Sequence, residues 1–199
     1  MRTSQVGLIC IRMRCYDACF SQTTDQPTSF MLQLILGGAR SGKSGHAQAT
    51  AQASGKPVCI IATAEAGDEE MQQRIALHRQ QRPSHWQLVE QPIRLAGALR
   101  EQDRADACLL VDCLTLWLSN LLLAGDDCFE RETEALFQLL PQLQAEVIFV
   151  SNEVGQGIIP LGELNRRFVD EAGRLHQRLA QLCERVDFMV AGLVNRLKG

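Results

Sequence analysis

The eight residues Gly37-Gly38-Ala39-Arg40-Ser41-Gly42-Lys43-Ser44 fill every required position of the pattern G-x-x-x-x-G-K-[ST]. Each residue type has a chemical task there. Glycines let successive backbone N–H groups curl around phosphate oxygens with no Cβ in the way. Lys43 is placed to reach the β- and γ-phosphates of a nucleoside triphosphate as a point charge, and the Ser44 hydroxyl to ligate Mg²⁺. A second candidate metal ligand is Asp112, which follows the apolar run Ala107-Cys108-Leu109-Leu110-Val111 where such enzymes put the acid that holds Mg²⁺. The competing reading of Asp112 is a strand-terminal acid that caps the next helix.

These residues need a scaffold that points a helix N-terminus at an anion. Leu34-Ile35-Leu36 reads as a buried strand ahead of the glycine loop, and Ser44 to Ser54 as a helix behind it. Further strand-like runs are Val58–Ala62, Cys108–Asp112, Val147–Ser151 and Phe188–Ala191, with helical segments between. Leu164, Phe168, Ala172, Leu175, Leu179 and Leu182 recur at helical spacing and form one face, while Arg166, Arg167, Arg174 and Arg178 lie off that stripe on a solvated side. Alternating strand and helix predicts an α/β fold with a mainly parallel sheet and helices on both faces. Functional residues then belong at the carboxyl ends of the strands. That places the glycine loop, Ala62-Thr63-Ala64-Glu65, Asp112 and the polar stretch from Ser151 to Gly157 at one edge.

The whole chain bounds the answer. Its 199 residues suit one domain; 46% are hydrophobic, 22% charged and only 5% aromatic, with net charge −3. That balance gives no electrostatic footprint for DNA, RNA or an anionic membrane, and few rings on which bases could stack. Ala107 through Gly125 is leucine-rich, but Asp112, Ser119 and Asn120 interrupt it, so a buried strand followed by a helix is expected rather than a membrane span. Eight cysteines include no C-x-x-C pair. Cys59, Cys108 and Cys113 lie in or beside apolar runs, as small core residues do, and a reducing, cytoplasmic compartment fits them. Cys10, Cys15 and Cys19 cluster near the start, where metal binding is the minor alternative. Residues 1–30 differ in character from the rest: no secretory pattern, a Thr/Ser/Gln/Pro stretch from Ser21 to Ser29, and Met31 just ahead of the first strand. They read as a poorly packed extension ahead of a single domain spanning 31–199.

On these residues alone the chain is a phosphoryl- or nucleotidyl-transfer enzyme or a nucleotide-driven switch. The segments GGARSGKS (37–44), IATAE (61–65), RIALHRQQRP (74–83), LVDCLTLWLSNLL (110–122), VSNEVGQGIIP (150–160) and FVDEAGRLHQRLA (168–180) sharpen this. In that order and spacing they closely resemble the bifunctional adenosylcobinamide kinase/adenosylcobinamide-phosphate guanylyltransferase family of cobalamin biosynthesis, from about Leu32 to Lys198.

The resemblance implies a RecA-like P-loop NTPase fold, a homotrimer and two reactions. One phosphorylates the aminopropanol hydroxyl of adenosylcobinamide with ATP or GTP. The other attaches GMP from GTP to that phosphate, through a guanylylated histidine, and releases pyrophosphate. By matching motif the histidine is His78, and Arg79, Gln80, Gln81, Arg82, Glu90, Ala62, Thr63 and Ala64 match positions that hold the guanine nucleotide. Neutral imidazole is a competent nucleophile near pH 7, and Arg79 and Arg82 offer multi-donor contacts to phosphate. The plain structural reading of His78 is a packed core residue, since Met71, Ile75 and His78 share a helical face from about Asp68 to Gln81. Departures from the family pattern are Leu77, where some relatives carry a second histidine, and His176, where an asparagine is expected; the latter puts local substrate contacts in question. His46, one turn into the first helix, is expected to be supporting or structural. Two rivals stand beside this reading. One is a monofunctional P-loop small-molecule kinase with His78 structural; the other is a non-enzymatic nucleotide-dependent switch.

Overall fold

Strand formation follows from apolar runs buried on both faces, which suit the interior of a parallel sheet. A computed structural model describes residues 32–65 and 83–199. In chain order the described elements are β1 (Leu32–Gly37), α1 (Lys43–Ala53), β2 (Val58–Ala62), β3 (Gln87–Glu90), α2 (Leu95–Gln102), β4 (Cys108–Asp112), α3 (Leu114–Ala124), α4 (Asp126–Leu139), a 3₁₀ turn (Leu140–Gln142), β5 (Glu146–Asn152), α5 (Glu163–Leu182), β6 (Arg185–Val190) and β7 (Leu193–Lys198). They build one seven-stranded sheet in the order β3-β2-β4-β5-β1-β6-β7. All neighbours run parallel except β6 and β7, an antiparallel hairpin at one edge.

The period of two along each strand sorts the core into two layers. Leu34, Leu36, Ile61, Leu109, Val111, Val147 and Phe149 face the layer that contains Trp117, Leu136 and Leu179 from α3, α4 and α5. Ile35, Ile60, Leu110, Ile148 and Val150 face α1, through Ala47 and Ala51. Helices therefore cover both faces, as the alternating pattern predicts. The small alanines let α1 lie close against the sheet, which brings its N-terminus over the carboxyl end of β1.

The expected strands and helices in the described residues are present, with additions. The stretch 107–125 is a strand and a helix, and no helix among the described residues is long and apolar enough to cross a membrane. The stripe on α5 is buried only in its middle, at Ala172, Leu175 and Leu179; Leu164 and Leu182 at its ends are exposed. Two strands escape the apolar pattern, β3 and β7. Both are edges, and all six residues of β7 are exposed. Cys59 and Cys108 are buried and Cys113 is half-buried, and burial pushes the Cys108 thiol up to about 11. The sequence-based extension 1–30 and the helix expected over 68–81 lie outside the described residues.

Candidate active site

The sheet order sets which strand ends meet. β5 lies between β1 and β4, so the glycine loop, the Ser151–Glu153 segment and Asp112 emerge side by side. β2 continues that edge, with Ala62 in register with Asp112 on one side and Glu90 on the other. The structure thus brings Gly37 to Ser44, Ala62 to Ala64, Glu90 and Asp112 to one end of the sheet. His85 sits ahead of β3, at the opposite end. His78, Arg79, Gln80, Gln81 and Arg82 lie outside the described residues.

Within the loop, Ala39 and Arg40 are exposed while Ser41 and Lys43 are buried. The Lys43 ammonium donates to the Gly38 carbonyl at 2.6 Å and approaches Ser41 Oγ at 3.5 Å. Burial lowers the Lys43 pKa, opposed by the neighbouring Cys113 and Asp112. Two glycines are required by space. A Cβ on Gly37 would lie 2.5 Å from the Met189 carbonyl oxygen, and one on Gly42, at φ +96°, would meet the Gly192 Cα at 3.2 Å. Ser44 is the second residue of α1 and Asp112 the last of β4, so a hydroxyl-bearing and a carboxylate-bearing residue stand at the loop's end of the sheet. Such hard oxygen donors suit Mg²⁺, which takes few protein ligands and keeps phosphate and water oxygens. No group of three or more His, Cys, Asp or Glu side chains placed to hold a metal occurs among the described residues.

Thr63 is fully buried and turned inward. Its Oγ1 donates to the Cys113 carbonyl at 2.6 Å and accepts from the Cys113 N–H at 3.1 Å. Its own carbonyl accepts from Asn120 Nδ2 at 2.9 Å, and the same amide donates to Pro92 O at 3.1 Å. Through its hydroxyl Thr63 therefore locks the ends of β2 and β4 together. Asn120 does the same for the segments after β2 and β3. The sequence signal for it was a single amide in an otherwise leucine-rich helix.

Two histidines that the sequence left without a role have definite partners. His176 is buried, with Nε2 at 2.8 Å from Ser151 Oγ and Nδ1 at 3.7 Å from Glu153 Oε2. Burial lowers its pKa, opposed by Glu153. Ser151 Oγ lies 3.2 Å from Thr115 Oγ1, which accepts the Asn152 N–H at 2.7 Å. His176 therefore shapes the β5 end from beneath and is not itself a surface contact. His46 Nε2 lies 2.9 Å from Asp187 Oδ2, a carboxylate with no exposed surface. Asp187 also accepts from Gln33 Nε2, Arg185 and Arg196. Burial disfavours its ionised form, but the hydrogen bonds from His46, Arg185 and Arg196 prevail, and its pKa is lowered.

Comparison with known proteins identifies relatives over most of the chain. A family model described as cobinamide kinase / cobinamide phosphate guanyltransferase matches residues 33–197. The chain is 58% identical over 170 residues to the bifunctional adenosylcobalamin biosynthesis protein CobP of Pseudomonas aeruginosa, covering 85% of this chain and 98% of that one. It is 36% identical over 182 residues to the corresponding CobU protein of Escherichia coli, covering 84% and 100%. Among solved structures it is similar to the RadB recombinase, at 18% identity and a TM-score of 0.46 over 79% of this chain and 73% of that one. The seven-stranded, mainly parallel sheet with a glycine loop leading from β1 into α1 is a P-loop α/β fold, and with the family model matching most of its length the chain belongs to the cobinamide kinase / cobinamide phosphate guanyltransferase family.

Proposed function

We infer that this chain carries out both reactions of its family from one triphosphate cradle: phosphorylation of adenosylcobinamide with ATP or GTP, then transfer of GMP from GTP to that phosphate. The observation that carries the reading is the family match over residues 33–197, laid on a sheet that sets the glycine loop beside Asp112. In the first reaction the substrate hydroxyl oxygen attacks the γ-phosphorus, loses its proton, and the bond from that phosphorus to the β-phosphate oxygen breaks. Lys43 and the loop N–H groups balance the charge that develops on the phosphate oxygens. Mg²⁺, held by Ser44 and Asp112, supplies further charge neutralisation when bound.

In the second reaction a nitrogen of His78 attacks the α-phosphorus of GTP and pyrophosphate leaves. The phosphate of adenosylcobinamide phosphate then attacks the resulting phosphoramidate; its P–N bond breaks and adenosylcobinamide-GDP forms. Arg79, Gln80, Gln81, Arg82 and Glu90 hold the guanine nucleotide together with Ala62, Thr63 and Ala64. This assignment rests on matching motif. Glu90 at the end of β3, in register with Ala62, is consistent with it. The cytoplasm is the compartment in which such small-molecule chemistry on free triphosphates belongs. Assembly as a homotrimer follows from the family resemblance; the exposed edge strand β7, with Leu193 and Leu197 at 73% and 59% exposure, offers a surface for association without setting the number of copies. Sedimentation of the intact protein tests it; a monomer counts against it.

The deciding experiment is incubation with Mg²⁺ and α-labelled GTP, followed by denaturation. Acid-labile label that stays on the protein and vanishes in His78→Ala, while most kinase activity survives, is the expected result. Absence of label in protein that binds GTP would overturn the guanylyl-transfer half and leave a monofunctional kinase.

A further inference from the structure

The glycine loop's donors are set by where its carbonyls go. A peptide unit is planar, so the carbonyl of one residue and the N–H of the next point in opposite directions. The Gly37 carbonyl accepts the Glu153 N–H at 3.0 Å, the Ser41 carbonyl accepts the Gly192 N–H at 3.0 Å, and the Gly42 carbonyl accepts the His46 N–H at 3.0 Å. Those three bonds turn the N–H groups of Gly38, Gly42 and Lys43 away from Glu153, Gly192 and His46 respectively, which leaves them for the phosphate chain of the proposed function.

The middle bond comes from the far end of the chain. Gly192 forms the tight turn of the β6–β7 hairpin with Ala191, at φ +80° and +52°. β6 runs parallel to β1 with Gly37 opposite Met189, so the turn emerges directly beside the loop. One side-chain cluster ties this hairpin to α1. Asp187 on β6, in register with Ile35, gathers His46 Nε2 from α1 at 2.9 Å, Gln33 Nε2 from β1 at 3.0 Å, Arg185 Nε at 3.0 Å, and Arg196 Nε from β7 at 3.1 Å. His46 therefore bonds the loop through its backbone and the hairpin through its ring.

We propose that the C-terminal hairpin is the backing that fixes the phosphate loop's amide directions, and that His46 and Asp187 are positioning residues for triphosphate binding. The inference rests on the glycine loop being the triphosphate cradle of the proposed function, and it adds a requirement from the last 15 residues of the chain. His46 acts by aligning α1 on the hairpin, so what matters is a donor at its Nε2 position, not imidazole chemistry. Glutamine supplies an amide nitrogen of similar reach; leucine fills the space without a donor.

The test is direct binding of a non-hydrolysable GTP analogue with Mg²⁺ to the full chain, at a temperature where each variant is folded, beside its thermal midpoint. His46→Leu is expected to raise Kd by about tenfold, the scale on which small misplacements of a site act, and His46→Gln to restore most of the affinity. Asp103→Ala, which removes the acceptor of the Gln144 and Ala145 N–H groups at the opposite end of the sheet, is expected to lower the midpoint with Kd unchanged. Should His46→Leu fail to fold, Asp187→Asn against Asp103→Ala gives the same contrast. Unchanged Kd in His46→Leu overturns the inference, as do equal losses of affinity in His46→Leu and Asp103→Ala, which mark general destabilisation. Failure of the wild-type protein to bind the analogue would instead overturn the cradle itself.

Discussion

His176 Nε2 and Ser151 Oγ lie 2.8 Å apart, buried together beneath the carboxyl ends of β4 and β5. The Nδ1 side of the ring faces Glu153 Oε2 at 3.7 Å, and Nε2 shares a hydrogen bond with Ser151. Ser151 Oγ in turn pairs with Thr115 Oγ1, which accepts the Asn152 N–H. A single imidazole thereby orients the strand end that flanks the glycine loop.

That arrangement has a pH signature. The folded pKa of His176 is lowered by burial, so below the ordinary histidine value the unfolded chain binds a proton that the folded chain resists. The stability it contributes is present above about pH 6.5 and lost as pH falls toward the folded value. Urea unfolding of the wild type is expected to weaken over that window. The His176→Asn variant should show a shallower dependence, by at most about 1.4 kcal/mol per pH unit, the limit for one proton. Parallel profiles would show that the imidazole is not neutral by constraint.

Lys43 is held by the Gly38 carbonyl at 2.6 Å and is buried, so its charge is already concentrated on the loop. Lys43→Ala is expected to reduce both phosphorylation and guanylylation by about 10²–10³-fold, the scale for removing one preorganised charge from a transferring phosphoryl group. Lys43→Arg should not rescue either, because a planar fork does not fit a compact ammonium's place. Paired rate measurements on folded protein check this, and loss of one activity alone would separate the two sites.

Asn120 joins the segments after β2 and β3 through Thr63 O and Pro92 O. Asn120→Leu leaves both carbonyls without that donor in a half-buried place, and should cost about 1–3 kcal/mol in urea unfolding. Because Ala62 and Ala64 flank Thr63, the KM for GTP is expected to rise more than kcat falls. A stability loss with unchanged KM would confine Asn120 to packing.

We propose that residues 1–30 are dispensable, since the family match begins at residue 33. A chain starting at Met31 should keep both activities and its unfolding midpoint. A marked fall in either would make the segment part of the working protein.

How much of this was legible in the residues varies by the physics involved. The glycine loop, the central strands and Asp112 were readable because each is local: a fixed spacing, or an apolar run that only a buried strand satisfies. Edge strands β3 and β7 were not, since one side of each lacks a sheet neighbour and neither needs a continuous apolar run. The bond from the Thr63 hydroxyl to the Cys113 carbonyl, 50 residues away, had no local signal either. The assignment of His78 came from resemblance, and spacing alone also fits a core histidine.

The sequence by itself determined that a strand would lead through a glycine loop into a helix N-terminus, because backbone geometry and residue type at adjacent positions decide that. Only the tertiary structure decided what holds the loop in shape. Asp187 and His46 stand 141 residues apart, and Gly192 meets Ser41 only because β6 lies parallel beside β1. Contacts of that range follow from strand order, which no local pattern encodes.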